Sequence, residues 1–262
     1  MAARHQAIFT CLRGRGHVSA RELSKQFGIT AMTVWRDLKT LEEQGCLRRV
    51  RGGAEAIDRS VGESDFETKG PEAAAAKQLI AACAVREFVR PGDTLALEGG
   101  TTVAALLDYL PATRISLLTN SLPVALRART VRPHLPVHVS GGWLSAVSGN
   151  LVGPDAVRIM KRARSSVCFI SATGFDIERG PTDPNPLEIE AKRALADCAT
   201  RVVLLLDAKK FARCSTSVTI HPRRLHALVT DRSPPKEISA LLHAHGVRLM
   251  IANPVSTGRT SS

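Results

Sequence analysis

The stretch ITAMTVWRDLKTLEEQGCLRRVRGGA, residues 29–54, decides how the N-terminal part of the chain folds. Thr30 offers a capping hydroxyl, and Val34, Leu38 and Leu41 follow on one face at spacings of four and three. That spacing predicts a helix from an N-cap at Thr30 to about Gln44, stopped by Gly45. CLRRVRGGA then reads as a short strand with three arginines in four positions, Arg48, Arg49 and Arg51, and a Gly-Gly turn. Upstream, Ser19 with Glu22 three residues on is a capping box that opens a short helix to Phe27, closed by Gly28. Residues 4–14 carry Ala7, Ile8, Cys11 and Leu12 at helical spacing and end at Gly14 and Gly16. Helix, short helix, glycine turn, longer helix and basic hairpin is the order of a winged helix-turn-helix.

In that geometry the longer helix enters the major groove, its first residues reaching base edges. The positions expected to face DNA are Ser19, Thr30, Thr33, Trp35 and Arg36, with Arg48, Arg49 and Arg51 on or near the phosphate backbone. Arg36 suits a guanine edge or a phosphate. The competing reading makes Arg36–Asp37 an intrahelical surface pair, worth only a few tenths of a kcal/mol, and the wing arginines a solvated charge run.

The totals are compatible with this. The 262 residues are 44% hydrophobic and 23% charged, with a formal net charge of +12, which favours a polyanionic partner. Residues 1–60 carry 11 Lys/Arg against 6 Asp/Glu, so positive charge is denser there, although the remainder is basic too. No run approaches the roughly 18 apolar residues of a membrane span, and arginines interrupt the N-terminus before any signal-peptide core develops. A cytoplasmic location without membrane contact is expected. The six cysteines form no CxxC pair, and no zinc-ligand spacing is present. Neither metal nor cofactor is expected.

Residues 57–74 are polar and aperiodic, a linker between a domain at 1–56 and a second at 75–255. In the second, a helix over Lys77–Phe88 precedes apolar strands at 94–98, 116–119, 137–140, 167–172, 201–207, 227–231 and 247–251. Helices are expected between several of them, near 102–110, 123–128, 187–198 and 235–243. Continuous apolar strands alternating with helices indicate a mainly parallel sheet covered on both faces. Such sheets bind ligands beyond the carboxyl ends of their strands. The unusual residues collect there. LEGGTT, residues 97–102, runs from a strand through Glu98, Gly99 and Gly100 to a helix start at Thr101 and Thr102, an arrangement that suits a phosphate or simply caps a helix. Thr119, Asn120 and Ser121 follow another strand, Gly141 and Gly142 a third, and Thr173 with Gly174 a fourth. Leu151–Pro154 reads as a further glycine turn, Glu190 and Lys192 share a helix, and Asp207 with Lys210 ends a strand. The alternative roles are a turn cap for Asp207 and a salt bridge for Glu190–Lys192.

Residues 29–54 resemble the winged helix-turn-helix of the DeoR family of bacterial sugar-metabolism repressors, whose pattern runs T-I/V-R-R-D-L, L-E-x-x-G and a basic wing closing on G-G-A. Trp35 stands where the family usually has the first of two arginines, so it packs on DNA sugar or against the wing. The second half resembles the family's sensor domain, whose fold is shared with ribose-5-phosphate isomerase. The strand-S-G-T-T element matches 98–102, T-N-S 119–121, G-G…G-x-L-V-G-P 141–154, G-A-x-G 171–174, E-x-K-R-A 190–194 and D-x-x-K-F 207–211. Gly99 replaces a frequent serine, and Ser171 and Thr173 replace a glycine and a common acidic residue.

The resemblance implies an α/β protein in which a winged helix-turn-helix precedes an α/β sensor domain similar to ribose-5-phosphate isomerase. It implies a regulator, a repressor of a carbohydrate operon, that binds double-stranded operator DNA as a homo-oligomer and is released by a phosphorylated sugar effector. Glu98 to Thr102, Thr119 to Ser121, Gly141, Gly142, Thr173, Gly174, Glu190, Lys192, Asp207 and Lys210 form the implied ligand site, with phosphate on Gly100–Thr102. Two other readings stand against it. One is an isomerase-like enzyme with a DNA-binding appendage, using Glu98, Glu190 or Asp207 as base and Lys192 or Lys210 as donor. The other is a DNA-binding protein that answers to no ligand.

Overall fold

The computed structural model describes residues 4, 5, 7, 8, 11, 17–43, 47–55 and 73–253. The chain divides into two compact units, Met1–Gly62 and Glu63–Ser262. Of the linker expected at 57–74, residues 57–72 lie outside the described residues, as do Gly14, Gly16, Gln44, Gly45 and Cys46, while Ala74 already opens a helix.

In the first unit the described residues between 4 and 11 are helical. They are followed by β1 (His17–Ser19), α1 (Ala20–Phe27), α2 (Ala31–Glu43), β2 (Arg48–Val50) and β3 (Gly53–Glu55). The caps fall where the side chains dictate: the Ser19 hydroxyl accepts from the Arg21 amide at 3.2 Å, and Thr30 Oγ1 accepts from the Thr33 amide at 3.3 Å. Gly28 closes α1 at φ +64°, a left-handed conformation that a side chain disfavours. Ile8, Val18, Leu23, Val34, Leu38, Leu41 and Leu47 form the core. The sheet has three antiparallel strands in the order β1-β3-β2, where the sequence reading named a single short strand.

The second unit is a seven-stranded, fully parallel sheet between two layers of helices. It contains β4 (Thr94–Leu97), β5 (Ser116–Thr119), β6 (Val137–Val139), β9 (Ser165–Ile170), β12 (Ala199–Leu205), β14 (Ala227–Thr230) and β15 (Arg248–Ile251). Their spatial order is β15-β14-β12-β9-β4-β5-β6. Alternate side chains feed two cores. Leu95, Leu97, Val167, Phe169, Val203 and Leu205 pack with α3 (Ala74–Phe88), α4 (Thr101–Ala104) and α5 (Leu122–Val131). Ala96, Cys168, Ile170, Val202 and Leu204 pack with α6 (Pro154–Arg162), α7 (Pro186–Asp197) and α8 (Lys236–Ala244). This is why the strands read as unbroken apolar runs rather than alternating ones.

Three features depart from the expectation. The helix after LEGGTT is one α-turn, Thr101–Ala104, tightening into a 3-10 segment at Ala105–Asp108. The expected glycine turn at 151–154 is the last strand of a hairpin, β7 (Trp143–Leu144) with β8 (Leu151–Val152), leading into α6. A small antiparallel sheet, β10 (Gly174–Asp176), β11 (Gly180–Asp183) and β13 (Ser217–Val218), lies beyond β9.

The chain adds β5 and β6 on one side of β4, then β9, β12, β14 and β15 on the other. The order therefore reverses between β4 and β9. Loops leaving adjacent strands at such a reversal diverge and open a crevice, the usual ligand position of an open α/β sheet.

Candidate functional site

At that reversal the carboxyl end of β4 supplies Glu98 and that of β9 supplies Ser171. The Ser171 amide donates to Glu98 Oε2 at 3.2 Å. Lys192, one face of α7, reaches between them. Its Nζ donates to the Ser171 carbonyl at 2.7 Å and to Asp183 Oδ2 at 2.5 Å, and lies 3.2 Å from Glu98 Oε1. All three charged side chains are buried. Burial favours the neutral amine of Lys192, but Asp183 and Glu98 outweigh it and hold the ammonium above its ordinary value. Burial likewise opposes ionisation of Asp183, yet the Lys192 charge and the hydrogen bonds from Lys192 and Thr173 leave its carboxyl below the usual range. Glu98 goes the other way: burial pushes it up, and Lys192 only partly offsets this.

Asp183 is absent from the sequence reading, although it organises this cluster. Its Oδ1 accepts from both the amide and the hydroxyl of Thr173, each at 2.8 Å, and its Oδ2 from Thr219 at 3.0 Å. A carboxylate thus sits against Thr173, the position where the resemblance noted a missing acidic residue.

Glu190 is not brought to the site: it is exposed on α7, while Glu188 and Lys192 are buried. Residues two apart on a helix face different ways, whereas residues four apart share a face. Lys192 is also corrected, from a charge awaiting phosphate to one already shared by two carboxylates. Lys210 is the cation at the loop's edge; its Nζ donates to Ser171 Oγ at 3.0 Å.

Gly99, Gly100 and Thr101 are half-buried at the crevice. A Cβ on Gly100 would lie 3.3 Å from Ser171 Cβ, and one on Gly99 would lie 1.7 Å from Asn150 Oδ1. The space of the family's frequent serine is filled here by the Asn150 amide, which accounts for the glycine. Thr102 is buried and its hydroxyl has no partner among the described residues, as is true of Asn120 Oδ1 and Asn150 Oδ1. The neighbours of Asn120 serve the fold. Thr119 Oγ1 donates to the Leu97 carbonyl at 2.6 Å, tying β5 to β4, and Ser121 caps α5. Gly142 and Gly174 are packing positions, because the Val152 and Arg213 carbonyl oxygens occupy the space a side chain would need; Gly141 lies beside Gly142 at φ +67°. Asp207 is buried at the end of β12 and makes no side-chain cap.

In the first unit, Arg36 is exposed at the start of α2, and the Thr30 and Thr33 hydroxyls lie 2.9 Å apart. Trp35 is half-buried and packs on the unit's own core, which includes Leu47 and Ala54 of the wing. Nor is Asp37 the partner of Arg36. It is buried and accepts from Arg4 Nε at 2.6 Å and Nη2 at 3.0 Å, with His5 Nε2 at 3.2 Å. Burial opposes its ionisation, but these contacts prevail and lower its pKa. The carboxylate thereby fastens the first helical segment to α2. On the wing, Arg48 pairs with Glu55 directly across the hairpin, and Arg49 is held at its amide and guanidinium by Glu42 of α2. Arg51 is exposed at the turn.

The chain matches the DeoR-like helix-turn-helix domain over residues 4–60 and the DeoR C terminal sensor domain over residues 72–232. It is 30% identical over 251 residues to the HTH-type transcriptional regulator IolR of Bacillus subtilis, spanning 95% of this chain and 98% of that protein. It is 27% identical over 247 residues to the glycerol-3-phosphate regulon repressor of Shigella flexneri, spanning 94% and 97%. Among solved structures it is similar to ribose 5 phosphate isomerase A of Neisseria gonorrhoeae, at 14% identity and a TM-score of 0.39 over 52% of each chain. Two matched domains in sequence, with relatives spanning nearly the full length, place this chain in the DeoR family of helix-turn-helix transcriptional regulators.

Proposed function

We propose that this regulator represses a carbohydrate operon, that its first unit grips duplex operator DNA as part of a homo-oligomer, and that a phosphorylated sugar bound in its second unit weakens that grip. The observation that carries the ligand half is the group of residues at the reversal of strand order between β4 and β9. A glycine loop and a helix start stand there beside Lys210, with buried polar atoms that have no partner among the described residues: Thr102 Oγ1, Asn120 Oδ1 and Asn150 Oδ1. Amides at a helix start favour an anion, and orphaned buried acceptors favour a ligand rich in hydroxyls. The phosphate lies against Gly100, Thr101, Thr102 and Lys210. Lys192 holds Glu98 and Asp183 in place behind it. Glu98 is engaged by that lysine and by the Ser171 amide, which supports binding rather than turnover. To act as an effector, the sugar must bind two states of the protein unequally, typically by about 1–3 kcal/mol.

The names of the two relatives, a transcriptional regulator and a glycerol-3-phosphate regulon repressor, agree with this reading. The full chain is to be screened by thermal shift against glycerol 3-phosphate, ribose 5-phosphate, fructose 1-phosphate and glucose 6-phosphate, since a ligand of the folded state raises its melting temperature. At least one should raise it, and the Thr101→Val, Thr102→Val double variant should lose that response while binding duplex DNA as before. A flat response to the whole panel would refute the ligand half, and turnover of any member would favour the enzyme.

On the DNA side, Arg51 is the wing arginine the structure leaves most open, since Arg48 and Arg49 face Glu55 and Glu42. Arg51→Ala should weaken binding to every duplex alike and reduce the slope of log affinity against log salt by about 1. Titrations at several salt concentrations decide this, and an unaltered slope removes Arg51 from the interface.

A further inference from the structure

Asn150 fills the space beside Gly99 and leaves its amide oxygen without a partner among the described residues, and its surroundings fix which way that oxygen points. It stands just before β8, and its Nδ2 donates to Glu188 Oε2 at 3.4 Å. Ser148 Oγ donates to the other oxygen of the same carboxylate. An ionised carboxylate only accepts, so Glu188 fixes which end of the amide faces it. The amide oxygen is thereby turned toward the loop at Gly99. There it is fully buried and has no hydrogen-bond partner among the described residues. Asn120 holds the neighbouring backbone from its other side: its Nδ2 donates to the Leu151 carbonyl at 3.3 Å, and its own carbonyl accepts from the Leu151 amide at 2.6 Å. Its Oδ1 is left in the same condition as that of Asn150.

The loop therefore has two unlike flanks. Gly100 adjoins Ser171, on which Lys210 donates, while Gly99 adjoins the acceptor oxygen of Asn150 with the Glu188 carboxylate behind it. A phosphate dianion offers acceptors and negative charge, which the Asn150 flank opposes. A hydroxyl offers the donor that flank lacks. A buried polar group without its counterpart is costly, so a site lined with acceptors discriminates strongly against a ligand that cannot donate.

We propose that Asn150, oriented by Glu188 in the space left open at Gly99, is a specificity-determining residue that accepts a hydrogen bond from one hydroxyl of the sugar, with the phosphate on the opposite, Lys210 flank. This deepens the reading of the crevice as a sugar-phosphate site and rests on it.

The test uses the full-length protein and whichever of the four phosphate esters raises its melting temperature, with the monodeoxy analogues of that compound, each lacking one hydroxyl, and inorganic phosphate. Wild type should bind one monodeoxy analogue about tenfold more weakly than the parent, the worth of one well-made hydrogen bond. Asn150→Ala should bind that analogue and the parent about equally, and should bind inorganic phosphate as wild type does. Asn150→Ser, which keeps a small polar group beside Gly99, serves the same comparison if the alanine variant fails to fold. Discrimination among the analogues that survives in the folded variant would overturn the proposal and leave a buried water as the partner of Asn150. Loss of inorganic phosphate binding would overturn the assigned polarity. A wild-type protein indifferent to all four phosphate esters would instead sink the reading on which this one stands.

Discussion

Lys192→Met is expected to destabilise the second unit by about 3–5 kcal/mol, the usual consequence of removing one partner from a buried ion cluster. The side chains are of similar length, so packing changes little, but Glu98 and Asp183 lose the cation that both of them face. Urea unfolding measures the loss. Adding Glu98→Gln and Asp183→Asn removes the stranded charge, and the triple variant should recover more than half of it. The pH dependence gives an independent signature. Asp183 has a lowered pKa when folded, so its contribution is present above about pH 3.9 and is lost as pH falls through its lower folded value. Lys192 has a raised pKa, so its contribution is complete below about pH 10.4 and is lost only as pH rises through its folded value. Wild type should therefore show no loss from this pair between those limits. In Lys192→Met the two carboxylates are buried without a counter-charge and take up protons on folding, so the variant should grow more stable as pH is lowered from 7 towards 5. A cost below about 1 kcal/mol, the worth of a surface pair, would mean that water reaches the cluster.

How much of this was legible in the sequence depends on the range over which each signal acts. The strands of the parallel sheet follow from local apolar runs, and the caps at Ser19, Thr30 and Ser121 from hydroxyls next to helix starts. Helix α6 also carries local signals, with Pro154 at its start, Asp155 in its first turn and Lys161 and Arg162 in its last. That Glu188 rather than Glu190 shares the buried face of α7 with Lys192 was also open to inference, because a spacing of four keeps residues on one face. Asp183 was not. It sits in Gly-Pro-Thr-Asp-Pro-Asn, which has the composition of a turn, and becomes a strand residue only through pairing with Ser217, about 35 positions away. The Asn150–Gly99 contact spans about 50 residues and leaves no periodic trace. Asp37 shows the same limit in the first unit: its sequence neighbour Arg36 suggested a surface pair, and its actual partners, Arg4 and His5, come from another helical segment.

Gly53→Ala should abolish tight DNA binding while leaving the second unit folded. Gly53 pairs with Val50 in β2 and with Ser19 in β1, at the centre of the three-stranded sheet that carries the wing. A Cβ there would lie 1.9 Å from the Val18 carbonyl oxygen and 2.9 Å from Ser19 Cα. Both neighbours are backbone, so no rotamer change relieves the overlap, and the strands must separate. Overpacking of a well-fitted position typically costs about 1–3 kcal/mol, and here the lost hydrogen bonds of the β1–β3 ladder add to it. Gly52, one residue earlier at φ +92°, has open space around its missing Cβ. Its substitution should cost only the strain of the left-handed backbone, of order 1–3 kcal/mol, and should leave β1 paired with β3. The two glycine variants thus separate turn strain from sheet rupture. If the wing is part of the DNA grip, Gly53→Ala should lose duplex affinity well beyond Gly52→Ala when both are measured at one low salt concentration. Melting followed in the isolated full-length variants should show the second unit unfolding at its wild-type temperature. Equal DNA affinities for the two would mean that the β1–β3 pairing is dispensable, and that the first unit reads DNA through α2 without its wing.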